Sequence, residues 1–234
     1  MDYSSPLAIQ IRRFGQRLGV LRPAVRLYRH MLRKNYEDRF HDELLRAIVP
    51  GATVWDVGAN VGFYTNLFAE KVGSLGKVVA FEPSPTTFAV LQQQASGRPE
   101  IVLHNVALSD RSGHATFYVG RTDTAHGATD SLTRSANLEA HAVSVSTMRG
   151  DSPDLIPVPN VIKIDVEGYE LEVLEGMSGI LKEPSIRGIF IEMHFLEMTN
   201  RGLHDGPKRI VDALHAADFL IRWTDPSHIA AVRP

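Results

Sequence analysis

The chain has 234 residues, is 44% hydrophobic and 22% charged, and carries a formal net charge of −2. That size and composition suit one domain with a full hydrophobic core, exclude a disordered chain, and give no general reason to expect nucleic acid as a partner. There is no cysteine, so disulfides, thiolate metal sites and thiol nucleophiles are excluded.

Residues 1–36 hold Arg12, Arg13, Arg17, Arg22, Arg26, Arg29, Arg33 and Lys34 against one acid, Asp2. Their apolar residues, Leu7, Ile11, Phe14, Leu18, Leu21, Val25, Tyr28 and Leu32, recur in steps of four and three. This predicts amphipathic helices divided by Gly19 and Pro23, a basic appendage ahead of a main domain over 37–234. The appendage could cap that domain, make a dimer contact, or meet an anionic or membrane-linked substrate. The amino terminus lacks the basic start and apolar core of a signal peptide, and no apolar run approaches the ~18 residues of a membrane span. A soluble, cytoplasmic protein is expected.

From residue 50 strands and helices alternate. Strand 52–57 delivers Asp56 to the turn Gly58-Ala59-Asn60-Val61-Gly62, and a helix follows over 62–72. Strand 76–82 delivers Glu82, and Pro83 leads to a helix over 85–95 with Ser84 as its N-cap and Pro85 at the first helical position. A third strand over 101–104 ends at the turn 105–110, and 114–119 and 142–147 alternate as exposed strands. Between them 120–137, rich in Gly, Thr, Ser, Asp and His, has the length of a functional lid. Strand 160–165 leads into a helix from Glu167 to Gly176, and strand 186–193 ends at His194. A helix over 205–216 and strands near 218–223 and 228–232 complete the pattern. Repeated β-α units predict an α/β fold, a parallel sheet covered by helices on both faces, with the ligand site at the carboxyl ends of the strands.

The first turn reads D-x-G-x-x-x-G rather than G-x-G-x-x-G. An acid ahead of the glycines would repel a pyrophosphate but favour the sulfonium and amino group of S-adenosylmethionine. Glycine lets the backbone approach such a ligand, and Glu82 on the next strand can accept both ribose hydroxyls; Ala59 in the same loop and Pro83 and Ser84 beside Glu82 are expected at the donor as well. Asn105 and Ala107 stand where an adenine ring would lie, Asn105 either bonding the adenine edge or capping its turn.

Two further blocks carry chemistry. Asp165 arrives at the end of the central strand, beside the transferring methyl, and Glu167 opens the next helix, where the dipole favours its charge. The same pair also reads as an N-cap with a first-turn acid. Gly168 leaves room for a ligand, while Glu170, Glu172 and Glu175 read as a solvated helix face. In the block 189–195, Glu192 and His194 share parity and so one side of a strand. His194 is the leading candidate for a general base, against a purely structural histidine, and His104 and His126 are weaker candidates. Asp165, Glu192 and His194 could ligate Mg²⁺ or a transition metal, but nothing in the spacing requires it and no metal is expected.

Three blocks, DVGANVGFYT with FEPSP, the NVALSD turn at 105–110, and IKIDVEGYELEVLEGM followed by IEMH, resemble the FkbM family of S-adenosylmethionine-dependent methyltransferases over roughly residues 36–195. The resemblance implies the class I methyltransferase fold, a Rossmann-like three-layer sandwich with a seven-stranded sheet whose last strand is antiparallel. It also implies O-methylation of hydroxyls on sugars, glycolipids or polyketide-type products. Family roles fall on Asp56, Gly58, Asn60 and Gly62 in the donor loop, on Glu82 at the ribose, and on Asp165 and Glu167 near the reacting centre. The chain departs from the family where a T-L-D-D-L-like element is common and Thr147-Met148-Arg149-Gly150-Asp151 stands instead.

An O-methyltransferase is therefore expected, with His194 or Asp165 taking the proton of the acceptor hydroxyl. An NAD-dependent oxidoreductase would share the fold and Glu82, and a non-catalytic nucleotide-binding module would keep the donor loop without a base. The ligand that co-purifies with the protein separates the three.

Overall fold

A computed structural model describes residues 39–119, 141–155 and 157–233. The appendage expected over 1–36 and the lid expected over 120–137, with His126, lie outside the described residues. The described chain opens in a helix that runs to residue 47 (α1), followed by β1 (Thr53–Val57), α2 (Phe63–Val72), β2 (Lys77–Phe81), α3 (Pro85–Gln94) and β3 (Ile101–His104). Next come β4 (Ala107–Leu108), β5 (Gly113–Val119), β6 (His141–Met148), β7 (Val161–Ile164), α4 (Glu170–Gly176) and β8 (Gly188–Glu192). The chain closes with α5 (Phe195–Asn200), α6 (Gly206–Ala216), β9 (Leu220–Trp223) and β10 (His228–Val232).

Short β-branched and aromatic runs with little polar content pair into a sheet buried on both faces. Its order is β3-β2-β1-β7-β8-β10-β9, parallel except for β10, which runs antiparallel to β8 and β9. This is the class I methyltransferase sheet, with the last strand reversed as the resemblance implies. Strand alternation divides the core. Trp55, Val57, Ile162 and Ile164 pack with Leu171 and Leu174 of α4 and Ile210 and Leu214 of α6. Val54 and Val161 face the other way, against Phe40 and Leu44 of α1 and Phe68 of α2. Each fully buried side chain of this size contributes about 1.5–3 kcal/mol, so the sheet needs no cross-link to hold it. Asn160 staples its centre: its Oδ1 accepts the Thr53 N–H at 2.8 Å, and its own N–H donates to the Thr53 carbonyl at 2.7 Å.

The Ser84 cap is formed, its hydroxyl accepting the Thr87 N–H with Pro85 at the helix start. The two exposed strands pair with each other from Gly113↔Thr147 to Val119↔His141. The two-residue β4, not foreseen, adds to them in parallel, giving a three-stranded side sheet of order β4-β6-β5. The Thr147–Asp151 departure is a corner rather than a surface loop: Arg149 grips Asp151 through two bonds of 2.8 and 2.7 Å and the Asp110 carbonyl at 2.6 Å.

The helix expected from Glu167 begins instead at Glu170. Glu167 and Gly168 both take positive φ, 52° and 96°, and two successive left-handed residues cannot continue a right-handed helix. The favourable first-turn charges are therefore Glu170 and Glu172. Helix α5, directly after His194, is a second element the sequence pattern did not reveal. Among the described residues no helix is long and apolar enough to cross a membrane.

Candidate active site

The turn after β1 holds three left-handed residues in five, Gly58 at φ 79°, Asn60 at 51° and Gly62 at 93°. Glycine meets that requirement without strain, and asparagine is the side chain that tolerates it best. Space also dictates Gly58, because a Cβ there would lie 1.8 Å from the Asp165 carbonyl oxygen. The N–H groups of Gly58 and Ala59 both donate to the Phe81 carbonyl at 3.0 Å, which fastens the turn to the end of β2. Glu82 completes the fastening: its Oε2 accepts the Asn60 N–H and its Oε1 the Ser84 N–H, both at 2.9 Å. Glu82 is thus a buried knot between two turns as well as an acid at the cleft.

The cleft at the carboxyl ends of β1, β2 and β7 brings together Gly58, Asn60, Glu82, Pro83, Ala107, Asp165 and Glu167 among the residues expected from sequence. Its apolar walls were missed: Phe81, Val106 and Leu108 on one side, and Phe117 from β5. Phe117 looked like part of an exposed strand, and only the pairing of the side sheet turns it inward. Tyr169 also lines the cleft, with the Arg201 guanidinium stacked 3.4 Å over its ring.

Six expected residues support the cleft without lining it. Asp56 has no exposure, and its carboxylate faces inward to Thr65 Oγ1 at 2.7 Å and Lys163 Nζ at 3.2 Å. The opening it was expected to offer a cationic donor is taken by a lysine. Ala59 packs on Ala80 and Leu91, and Gly62 is the N-cap residue of α2. Ser84 caps α3. Asn105 donates its amide N–H groups to the carbonyls of Glu82 at 2.7 Å and Pro83 at 3.1 Å, the contacts of a turn cap.

His194, the sixth, stands behind Glu167. Its Nε2 lies 3.3 Å from Glu167 Oε2, 3.8 Å from Asp165 Oδ1 and 3.9 Å from Glu192 Oε1. Its Nδ1 lies 2.7 Å from Oε1 of Glu170, a carboxylate with no exposure. Sequence placed Glu170 on a solvated face, but it is the buried partner that orients the ring. Burial alone would lower the imidazole pKa, yet the bond to Glu170 and the charges of Glu170, Glu167 and Asp165 push it up to about 10. Those carboxylates favour the protonated ring, which has no lone pair to offer, and so weigh against the base role expected for His194.

Glu167 shifts in the opposite functional sense. Burial pushes its carboxyl up to about 7, with the charges of Asp165, Glu192 and Glu197 in support and His194 opposing. Its backbone is pinned from both sides. The Gly168 N–H donates to Glu170 Oε1 at 2.9 Å, Arg201 donates to the Gly168 carbonyl, and a Cβ on Gly168 would lie 2.5 Å from Cβ of Glu197. Residues held in such sparse conformations persist where the surroundings over-determine them. Glu192 is held in turn by His228, whose Nε2 lies 3.5 Å away and whose Nδ1 is 2.8 Å from Asp225. That contact keeps the Glu192 carboxyl below its usual range despite burial. Among the described residues, those whose ligand atoms lie within 4.8 Å of one another, and so could hold a metal, are Asp165, Glu167 and His194, with Glu167 in place of the expected Glu192.

The cleft can therefore fix a polar, partly apolar ligand against Glu82 and present a carboxylate near its own pKa beside it. At 31% identity over 178 residues the chain is similar to the 31-O-demethyl-FK506 methyltransferase FkbM of Streptomyces tacrolimicus, covering 62% of this chain and 66% of that protein. At 34% over 145 residues it is similar to the hexuronic acid methyltransferase AglP of Haloferax volcanii, covering 60% of this chain and 55% of that one. The match spans less than two thirds of either relative. The fold is shared with a putative rRNA methylase from Clostridium thermocellum, at a TM-score of 0.50 and 12% identity over 82% of this chain and 94% of that one. The methyltransferase FkbM domain matches residues 56–222, from the donor turn through β9, and the chain belongs to that family.

Proposed function

We propose that the chain is an O-methyltransferase that takes its methyl from S-adenosylmethionine and places it on a hydroxyl of a sugar, glycolipid or polyketide-type acceptor, with Glu167 receiving the proton. The observation that carries the reading is the Glu167 carboxyl, raised to about 7 on a pinned turn that meets the Gly58 loop at the mouth of the cleft. The name of one relative, the 31-O-demethyl-FK506 methyltransferase, supports oxygen as the accepting atom, and that of the hexuronic acid methyltransferase supports a sugar-type acceptor.

The residues present fit the donor. Glu82 lines the cleft with each of its oxygens fixed by a backbone N–H, and a carboxylate is the acceptor that a ribose diol requires. Phe81, Val106, Leu108 and Phe117 supply the apolar slot for a base. When bound, S-adenosylmethionine supplies a methyl already activated by its sulfonium. Glu167 would receive the acceptor hydroxyl's proton as that oxygen takes the methyl and the carbon–sulfur bond breaks, with S-adenosylhomocysteine as the leaving group, and a base whose pKa lies near the working pH is the efficient one. The His194 imidazolium steadies that carboxylate, and Glu170 holds the ring in place. Asp165, whose Oδ1 faces the same imidazolium, bounds the acceptor side.

The test is calorimetry with S-adenosylhomocysteine, followed by transfer of labelled methyl to a panel of sugar and macrolide hydroxyls. A parent protein that binds NAD and not S-adenosylhomocysteine would sink the reading.

A further inference from the structure

Lys163 stands in the middle of β7, opposite Asp56 of β1, and is 4% exposed. Its side chain lies on the face of the sheet that Val54 and Val161 share, and a buried cation there is costly unless its charge is paired. Two carboxylates and a carbonyl meet it. Nζ donates to the Gly58 carbonyl at 3.0 Å and lies 3.2 Å from Asp56 Oδ1 and 3.4 Å from Asp165 Oδ2, above the Tyr64 ring at 5.3 Å. An ammonium has three protons, and three oxygens from three segments surround this one. One closes β1, one belongs to the glycine turn, and one is the acid at the acceptor side.

Each of those oxygens fixes something the cleft depends on. The Gly58 peptide is gripped at both ends, its N–H by Phe81 and its carbonyl by Lys163, so the left-handed turn is set without a ligand. Asp165 gives one oxygen to Lys163, and the other is thereby aimed at His194. We propose that Lys163 is a positioning residue that holds the donor turn and the Asp165 carboxylate in one fixed arrangement before either substrate arrives, without touching substrate itself. Two backbone loops that touch directly, Gly58 against the Asp165 carbonyl, would share any slack released by its loss. A preset turn spares the ordering cost that binding otherwise meets. The inference rests on the methyltransferase reading for its ligand, though not for its effect on the turn.

The experiment compares the parent with Lys163→Met, close in length and without donors, and with Ile210→Ala, which weakens the core under α6 at a distance from the cleft. Three readings are taken well below the melting temperatures: thermal stability, affinity for S-adenosylhomocysteine, and hydrogen exchange of residues 57–62 without ligand. Lys163→Met is expected to lose tenfold or more in affinity and to exchange faster over 57–62 in the free protein. Ile210→Ala should keep both near parent values at a comparable loss of stability. Unchanged affinity and exchange in Lys163→Met overturn the proposal, and so does an equal affinity loss in Ile210→Ala. Should Lys163→Met not fold, Lys163→Gln, with an amide donor but no charge, takes its place with an expected loss of about threefold or more. A parent that does not bind S-adenosylhomocysteine removes the methyltransferase reading, and the exchange measurement still judges the role of Lys163 in the turn.

Discussion

The Nδ1 of His194 and Oε1 of Glu170 lie 2.7 Å apart, and the same oxygen accepts the N–H of Gly168 at 2.9 Å. One buried carboxylate thus orients both the imidazolium and the turn that carries Glu167. Glu170→Gln keeps an acceptor and removes the charge. The His194 pKa, about 10 in the parent, should fall by about one unit or more, the scale set by an adjacent opposite charge, as read from the ring protons by NMR. The sign for stability follows. A raised histidine contributes stability that is fully present below its unfolded value, about 6.5, and is lost as pH rises through about 10. The parent should therefore lose stability across that window, and in Glu170→Gln the loss should be smaller and end at lower pH. An unmoved titration would remove Glu170 as the cause.

Glu167→Gln should lower methyl transfer by about a hundredfold or more, the usual contribution of a positioned base, while affinity for S-adenosylhomocysteine stays within about twofold. In the parent, turnover should climb with pH and level off above about 7, as the carboxyl ionises. The variant should lack that limb. Because the folded value is raised, Glu167 also contributes stability at low pH that is lost as pH rises through about 7, so the variant should be more stable than the parent at pH 8. Turnover near the parent level would move the proton to Asp165 or leave alignment alone to account for the rate.

Glu82→Ala removes the acceptor of two backbone N–H groups along with the contact expected for a ribose. Charge-assisted bonds of this kind are worth roughly 1.5–3 kcal/mol each, so donor affinity should drop about tenfold or more. The melting temperature should fall as well, since Asn60 and Ser84 lose their anchor. Calorimetry and a melting curve on one sample check both, and intact affinity would contradict the donor-site assignment.

A chelator tests whether Asp165, Glu167 and His194 act as ligands. With the imidazole holding a proton on each nitrogen at neutral pH, methyl transfer is expected to persist after chelation. Activity that vanishes and returns with Mn²⁺ or Mg²⁺ would recast the three as a metal site.

The parts of the site that sequence revealed are those where the backbone itself is constrained. Gly58 and Gly62 announce a left-handed turn, and Glu82 announces the end of the next strand, because each requirement is met within a few residues. Lys163 and Glu170 gave no such sign. Each belongs to a type that normally faces water, and each is buried by partners far along the chain: Gly58 is 105 positions from Lys163, and His194 is 24 from Glu170. The proposed exchange of roles between His194 and Glu167 has the same origin. An isolated histidine reads as the base at neutral pH, and only a ring of carboxylates reverses the order of the two pKa values. Helix α5 was hidden because six residues are too few for a periodic pattern to stand out.

The position of β1 between β2 and β7 has a consequence for how the protein is made. Thr53 is bonded to Asn160, 107 positions downstream, so a nascent chain that has emerged only as far as β3 carries the entire glycine turn but leaves the β7 side of β1 as an open edge. In that interval Asp56 has no lysine to meet and the Gly58 carbonyl nothing to hold it. Long-range parallel pairing of this kind is slow to form, and an open apolar edge invites association with other chains. On the proposed reading, competence to take up a methyl donor would therefore arrive late in synthesis, once β7 has left the ribosome and docked, and a fragment ending at residue 119 would contain the whole glycine turn without the Lys163 and Asp165 that meet it.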